Sequence, residues 1–179
     1  GIESPSYKKI EQVYRAADVK YELLPLSHDG IDSTALARTR ASVIHTTPYR
    51  SFPTGITASA NKRHEYIRWS SKKRRIIIED DFESEFSVSP KPKETLYSLS
   101  DYDNVIYMNT FSKTISPALR VGYMVLPKRL VNDFESKLGF YSCTVPTFEQ
   151  FVLAQLINSG DFERHINRVR RSLRKRLYT

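Results

Sequence analysis

The apolar and polar positions of the chain follow two alternating periods. Gly1-Ile2-Glu3 reads as the tail of a strand, and residues 6–17 carry Ile10, Val13, Tyr14 and Ala17 on one helical face. Residues 19–26 read as a strand, and Asp32 caps a helix reaching about Thr39. A strand over 41–46 leads into a loop dense in turn residues, Thr47 to Gly55. Next come a helix over 61–73, a strand over 75–78 running into Glu79-Asp80-Asp81, and a polar, proline-bearing stretch over 87–93. The β-branched and aromatic run Val105 to Asn109 reads as a buried strand, and Val121 to Leu126 as another, stopped by Pro127. Helices over 127–138 and 147–158 follow. Last comes an amphipathic helix from Asp161, with Phe162, Ile166, Val169, Leu173 and Leu177 on its apolar side.

This rhythm predicts an α/β fold with a mostly parallel sheet and helices on both faces. One connection breaks it. The link Thr110 to Arg120 sits at the lower limit for a crossover helix and contains Pro117, so the strand after Arg120 is expected to run antiparallel to its neighbour. In open α/β sheets, ligands sit outside the carboxyl ends of the strands. Four such ends carry conspicuous residues: Glu3 to Tyr7, Thr46 to Gly55, Glu79 to Phe82, and Thr110 to Lys113. If they converge, a carboxylate, an aromatic ring, a lysine and hydroxyls meet near Arg120.

Composition narrows the class. The chain has 179 residues and 40% hydrophobic content, enough to bury the core of one domain. No apolar run approaches the roughly 18–20 residues of a membrane span, and no signal peptide is visible. Cys143 has no partner cysteine for a disulfide, which fits a reducing cytoplasm; as a lone cysteine it reads as a small buried hydrophobe rather than a reactive thiol. Much of the net charge of +8 lies in residues 161–179, where seven basic residues face two acidic ones. A basic helix can bind nucleic acid. It can equally be a solvated face, and neither a helix-turn-helix pattern nor zinc-ligand spacing accompanies it. The cluster Lys72-Lys73-Arg74-Arg75 suits a helix C-terminus.

The candidate chemistry centres on Asn109-Thr110-Phe111-Ser112-Lys113-Thr114. A lysine held against a core becomes a usable amine, as Schiff-base chemistry requires. A solvated loop lysine flanked by turn-forming hydroxyls is the alternative.

The motif order resembles the fold-type-I pyridoxal-phosphate enzymes, the aspartate-aminotransferase-like family, and within it the aminotransferase-like domain of MocR/GabR-type regulators of the GntR superfamily. The residues that carry this are E-S-P-S-Y at Glu3 to Tyr7, F-P-T-G at Phe52 to Gly55, and I-I-E-D-D-F-E-S-E-F at Ile77 to Phe86. They continue with N-V-I-Y-M-N-T-F-S-K-T at Asn104 to Thr114, P-A-L-R-V-G-Y-M-V-L-P at Pro117 to Pro127, and S-G-D-F-E-R-H-I at Ser159 to Ile166.

The resemblance implies that pyridoxal 5'-phosphate is the cofactor and that Lys113 is its Schiff-base position. It implies that Asp80 pairs with the pyridine nitrogen and that Arg120, Thr110 and Ser112 hold the phosphate. Tyr7 would stack on the ring. Phe82 departs from the pattern, because the family usually has a tyrosine there whose hydroxyl supports the cofactor's phenolic oxygen. The loop before F-P-T-G often reads S-H-Q in the regulators and is Tyr49-Arg50-Ser51 here. Slower or weaker cofactor capture is therefore expected.

The resemblance further implies that residues 1–160 are part of a cofactor-binding large domain. Residues 161–179 would begin a long helix leading to a C-terminal small domain. A glycine-rich phosphate turn would lie upstream, and so would a winged-helix domain contacting DNA. Two functions follow. One is the effector-sensing domain of a cytoplasmic, homodimeric transcription regulator responding to an amino compound. The other is a piece of an aminotransferase acting on amino acids. A degenerate fold kept for dimerisation is a third reading.

Overall fold

The computed structural model describes residues 1–72, 75–81, 84–86, 94–101 and 103–177. Its elements in chain order are β1 (Ile2–Ser4), α1 (Lys8–Ala16), β2 (Leu23–Ser27), β3 (Gly30–Ile31), α2 (Ser33–Arg38), β4 (Val43–Thr46), α3 (Ala60–Ser71) and β5 (Ile76–Asp81). After a single 3-10 turn at Ser84–Phe86 come α4 (Leu96–Leu99), β6 (Val105–Thr110), α5 (Phe111–Thr114), β7 (Gly122–Val125), α6 (Lys128–Leu138), α7 (Thr147–Asn158) and α8 (Asp161–Leu177).

The strands form one sheet in the order β3-β2-β1-β4-β5-β6-β7. The pairs β1–β2, β1–β4, β4–β5 and β5–β6 are parallel. β7 runs antiparallel to β6, as the proline-bearing link predicts. A second antiparallel pair closes the other edge: β3, two residues long, returns on β2. So short a strand leaves no alternating pattern to read in the sequence. From β1 the chain moves outward to β2 and then returns to β4 on the other side of β1. The order therefore reverses between β1 and β4, the place where open α/β sheets leave a crevice.

Local chemistry fixes several helix starts. Asp32 caps α2 by accepting from the Ala35 amide at 2.8 Å, as read from the sequence. Ser59 caps α3 in the same way. Residues 19–22, expected in a strand, lie outside β2. Asp18 takes a positive φ of 51° on leaving α1, and the Val19 amide is still bonded to the Tyr14 carbonyl, so the strand starts only at Leu23.

One face of the sheet carries the core. Leu24, Ile44, Ile77 and Val105 pack there against Leu36 of α2, Tyr66, Ile67 and Trp69 of α3, and Leu96 of α4. The parity of β5 then sorts its acidic end. Ile77, Glu79 and Asp81 are buried, while Asp80 is turned to the opposite face. Lys73 and Arg74 of the basic cluster, and the polar stretch 87–93, lie outside the described residues. Within the cluster, Lys72 is the α3 C-cap and the Arg75 guanidinium sits 4.6 Å from the Trp69 ring centre. Cys143 is exposed, contrary to its reading as a buried hydrophobe, because the loop between α6 and α7 lies on the surface.

Candidate functional site

The carboxyl ends of β1, β4, β5 and β6 open into one cleft of about 650 Å³, within the range of small-molecule sites. It is lined by Tyr7, Ile10, Thr47, Phe52, Asp80, Thr110, Ser112, Lys113, Pro117 and Arg120. Six of the seven residues expected from the sequence thus meet: Tyr7, Asp80, Thr110, Ser112, Lys113 and Arg120. The seventh, Phe82, lies outside the described residues. Ile10, Thr47, Phe52 and Pro117 complete the wall. Ile10 is legible only as the residue one helical turn beyond Tyr7.

Lys113 stands on α5, a single turn directly after β6, and is exposed at the cleft rather than held against the core. The turn has its own supports. Thr110 caps it, accepting from the Ser112 amide at 3.1 Å and donating to the Val121 carbonyl at 3.1 Å. Ser112 Oγ donates to the Leu119 carbonyl at 2.8 Å and accepts from Arg120 Nη1 at 3.4 Å. The hydroxyls therefore bind the two limbs of the 110–121 link together and bring the guanidinium beside the lysine turn.

Helix α8 braces the same turn from outside. The Phe162 ring meets Phe111 edge-on at 5.8 Å, and His165 Nε2 bonds the Thr114 carbonyl at 2.8 Å. Ile166 is buried, and Arg170 bonds the Glu85 carbonyl. The apolar stripe read from the sequence is thus partly a docking face against the site.

The aromatic wall comes from two loops. Tyr7 is the N-cap residue of α1 and is 45% exposed; its ring meets Phe52 edge-on at 5.9 Å. Phe52 belongs to the F-P-T-G turn, closed by a bond from the Gly55 amide to the Ser51 carbonyl at 2.6 Å. Gly55 takes φ of 73°, a conformation glycine adopts without strain. The peptide bonds before Pro5 and Pro53 are cis.

Three residues that the sequence reading did not assign to the site hold it in shape. Glu3, 2% exposed, accepts from Thr46 Oγ1 at 2.8 Å, the Thr47 amide at 3.0 Å, Ser51 Oγ at 2.7 Å and Thr47 Oγ1. It ties the end of β1 to the loop carrying Thr47 and Phe52. Behind Asp80, His45 of β4 brings Nε2 to 3.4 Å from Oδ2, and the Tyr14 hydroxyl lies 3.0 Å from His45 Nδ1. The sequence shows His45 only as a polar residue in an apolar strand; in the folded sheet it aligns with Ile78 in the β4–β5 register, so it shares a face with Asp80, two residues after Ile78.

The opposite face holds a separate polar network. Glu79, fully buried, accepts from the Leu96 amide at 2.7 Å, the Tyr97 amide at 2.9 Å and the Tyr49 hydroxyl. Burial drives its carboxyl up from the ordinary value, and the three donors oppose that rise. Tyr49 and Ser51, which replace the usual loop residues, are thus spent on internal bracing against Glu79 and Glu3. Tyr107 donates to Asp81 at 2.8 Å, and Asn109 donates to Glu85 at 2.6 Å. Burial, then the Asp81 charge, pushes the Tyr107 hydroxyl upward.

The donor set suits one kind of ligand. A primary amine, a carboxylate, a guanidinium flanked by two hydroxyls, and an aromatic wall in one cleft fit an aldehyde-bearing pyridine phosphate: amine to aldehyde, carboxylate to ring nitrogen, guanidinium to phosphate. Among the described residues there is no cluster of three metal-ligating side chains.

The comparisons with known proteins agree with that chemistry. The chain is 32% identical over 176 residues to the uncharacterized HTH-type transcriptional regulator YdeL of Bacillus subtilis, covering 98% of this chain and 38% of that protein. It is 31% identical over 173 residues to the probable rhizopine catabolism regulatory protein MocR of Rhizobium meliloti, covering 95% and 34%. Among solved structures, the Pyrococcus horikoshii kynurenine aminotransferase, complexed with PMP, superposes with a TM-score of 0.85 at 27% identity over 95% of this chain and 44% of that one. The α-aminoadipate aminotransferase LysN of Thermus thermophilus, complexed with N-(5'-phosphopyridoxyl)-L-leucine, gives 0.83 at 28% identity, covering 95% and 45%. The chain spans less than half the length of each of these relatives. The family model for aminotransferases of class I and II matches from residue 2 to residue 178, and the chain belongs to that family.

Proposed function

We propose that the chain is the cofactor-holding part of the effector-sensing domain of a MocR/GntR-type transcription regulator. The observation that carries this reading is the convergence of Lys113, Asp80 and Arg120 on one cleft. The regulator assignment draws on relatives described as HTH-type regulators. Pyridoxal 5'-phosphate, when bound, supplies an aldehyde that condenses with amines and a ring that draws off electron density. Lys113 provides the amine. Asp80 keeps a proton on the ring nitrogen, and a carboxylate suits that task because its charge offsets the pyridinium. Arg120 meets the phosphate with its planar fork. Thr110 and Ser112 can donate to phosphate oxygens once their hydrogens turn away from the carbonyls of Val121 and Leu119. Tyr7 and Phe52 exclude water from the ring.

An amino compound competing with Lys113 for the aldehyde is the effector, and its differential fit to two arrangements of the domain is what the rest of the protein reads. DNA contact is then the task of a winged-helix domain, and homodimerisation the expected assembly in the cytoplasm. Among the described residues no helix is long and apolar enough to cross a membrane.

Absorbance spectra with added pyridoxal phosphate test the cofactor reading. The native chain should gain a band that Lys113→Ala lacks, and borohydride reduction should leave a stable adduct on Lys113 in a peptide digest. No band in the native chain, or the same band in the variant, overturns it. The superposition on aminotransferases favours a second reading, an amino-acid aminotransferase. Conversion of the bound cofactor to its amine form by added amino acids decides for the enzyme, and a winged-helix reading frame upstream of Gly1 decides for the regulator.

A further inference from the structure

Asp80 does not stand alone against the cleft. His45, 8% exposed on β4, puts Nε2 at 3.4 Å from Asp80 Oδ2, and Tyr14 of α1 puts its hydroxyl at 3.0 Å from His45 Nδ1. The Tyr14 and His45 rings meet edge-on, 5.8 Å apart at 83°. Such a chain has a direction. A tyrosine hydroxyl that donates to Nδ1 needs the lone pair there, so the ring hydrogen sits on Nε2 and points at the carboxylate. Burial and the Asp80 charge both push the Tyr14 hydroxyl upward, which keeps its hydrogen in place.

We propose that Tyr14 and His45 are positioning residues for Asp80: Tyr14 fixes His45 in its Nε2–H tautomer, and His45 holds Asp80 Oδ2 so that Oδ1 faces the ligand. This rests on the reading of Asp80 as the partner of the cofactor's ring nitrogen and extends it to two residues that do not line the cleft. The geometry is consistent from end to end. His45 and Asp80 share a sheet face through the β4–β5 register, and α1 lies over that face. Tyr14 is itself anchored, since its carbonyl accepts from the Val19 amide at 2.9 Å as the chain leaves α1. The helix that begins at Tyr7 in the cleft thus also reaches behind the carboxylate. An Nε2–H donor lowers the carboxylate's freedom to rotate; groups placed in this way behind metal ligands change affinity by about tenfold or more, and the same scale is expected here.

Long-range nitrogen–proton NMR of the chain without cofactor reads the tautomer directly. His45 should carry its hydrogen on Nε2 in the native chain and lose that preference in Tyr14→Phe, which keeps the ring and removes the hydroxyl. In the pyridoxal phosphate titration, Tyr14→Phe and His45→Phe should raise the dissociation constant by about tenfold. His45→Gln, which keeps an amide donor, should recover part of it. An Nδ1–H or doubly protonated His45, a tautomer indifferent to Tyr14→Phe, or variants that bind like the native chain would each overturn the proposal. A native chain that gains no band removes the cofactor reading instead, and the tautomer measurement then decides the Tyr14–His45–Asp80 chain on its own.

Discussion

Arg120 Nη1 rests 3.4 Å from Ser112 Oγ, across the two limbs of the link that carries Lys113. The guanidinium is therefore brought to the cleft by the same hydroxyl that shapes the lysine turn. Arg120→Ala should raise the dissociation constant for pyridoxal phosphate by about 100-fold, the scale of one lost charge-assisted contact. Arg120→Lys should restore the charge without the fork and recover part of the affinity. Equilibrium absorbance titration measures both, and native-like affinity in Arg120→Ala would remove the residue from the phosphate seat.

Glu3 is the brace of the opposite wall. Glu3→Ala strips the acceptor from Thr46, Thr47 and Ser51 at once and leaves buried donors without partners. Denaturant unfolding should show a loss on the order of 3 kcal/mol. Cofactor affinity should fall with it, because Thr47 and Phe52 belong to the loop that Glu3 holds. Unchanged stability would mean that the loop finds other partners.

Glu79→Gln tests the buried network on the other face. Both carboxylate oxygens accept backbone amides, from Leu96 and Tyr97. The amide side chain turns a donor toward one of them, so the variant should lose about 2 kcal/mol despite its near-identical shape. Equal midpoints in a urea melt would contradict this.

Glu85 gives a pH-dependent prediction. Burial raises its carboxyl above the ordinary 4.5, and its Oε2 is buried without a hydrogen-bond partner among the described residues. The folded state therefore holds this proton more tightly than the unfolded state, and the favourable contribution is complete below pH 4.5 and lost as pH rises through the folded value. Glu85→Gln keeps an acceptor for Asn109 and cannot ionise. Its stability relative to the native chain should rise from pH 4.5 upward, measured as the difference between paired melts across pH. A flat difference would place the Glu85 carboxyl at its ordinary value in the fold.

The parts legible in the sequence share a trait: their signal is local. Asp32 caps the helix it precedes, β7 reverses because the link containing Pro117 is short, and the lysine turn follows a β-branched strand. What was not legible depends on register or on single turns. β3 and α4 are too short to show a period. Without the family resemblance, Glu79, Asp80 and Asp81 are indistinguishable as an acidic run until strand parity sends one to the cleft and two to the core. His45 reads as a lone polar residue in an apolar strand, and only the alignment of β4 with β5 puts it behind Asp80. Tyr49 and Ser51 look like departures at the site, yet their side chains point to Glu79 and Glu3.

Helix α8, 17 residues long, grips the lysine turn at Phe162 and His165 and the Ser84–Phe86 turn at Arg170, and then runs on to Leu177. Through Phe162 and His165, the seat of α8 and the placement of the turn bearing Lys113 depend on the same contacts. A fluorophore placed late on α8 would therefore report on chemistry at the cleft without touching it.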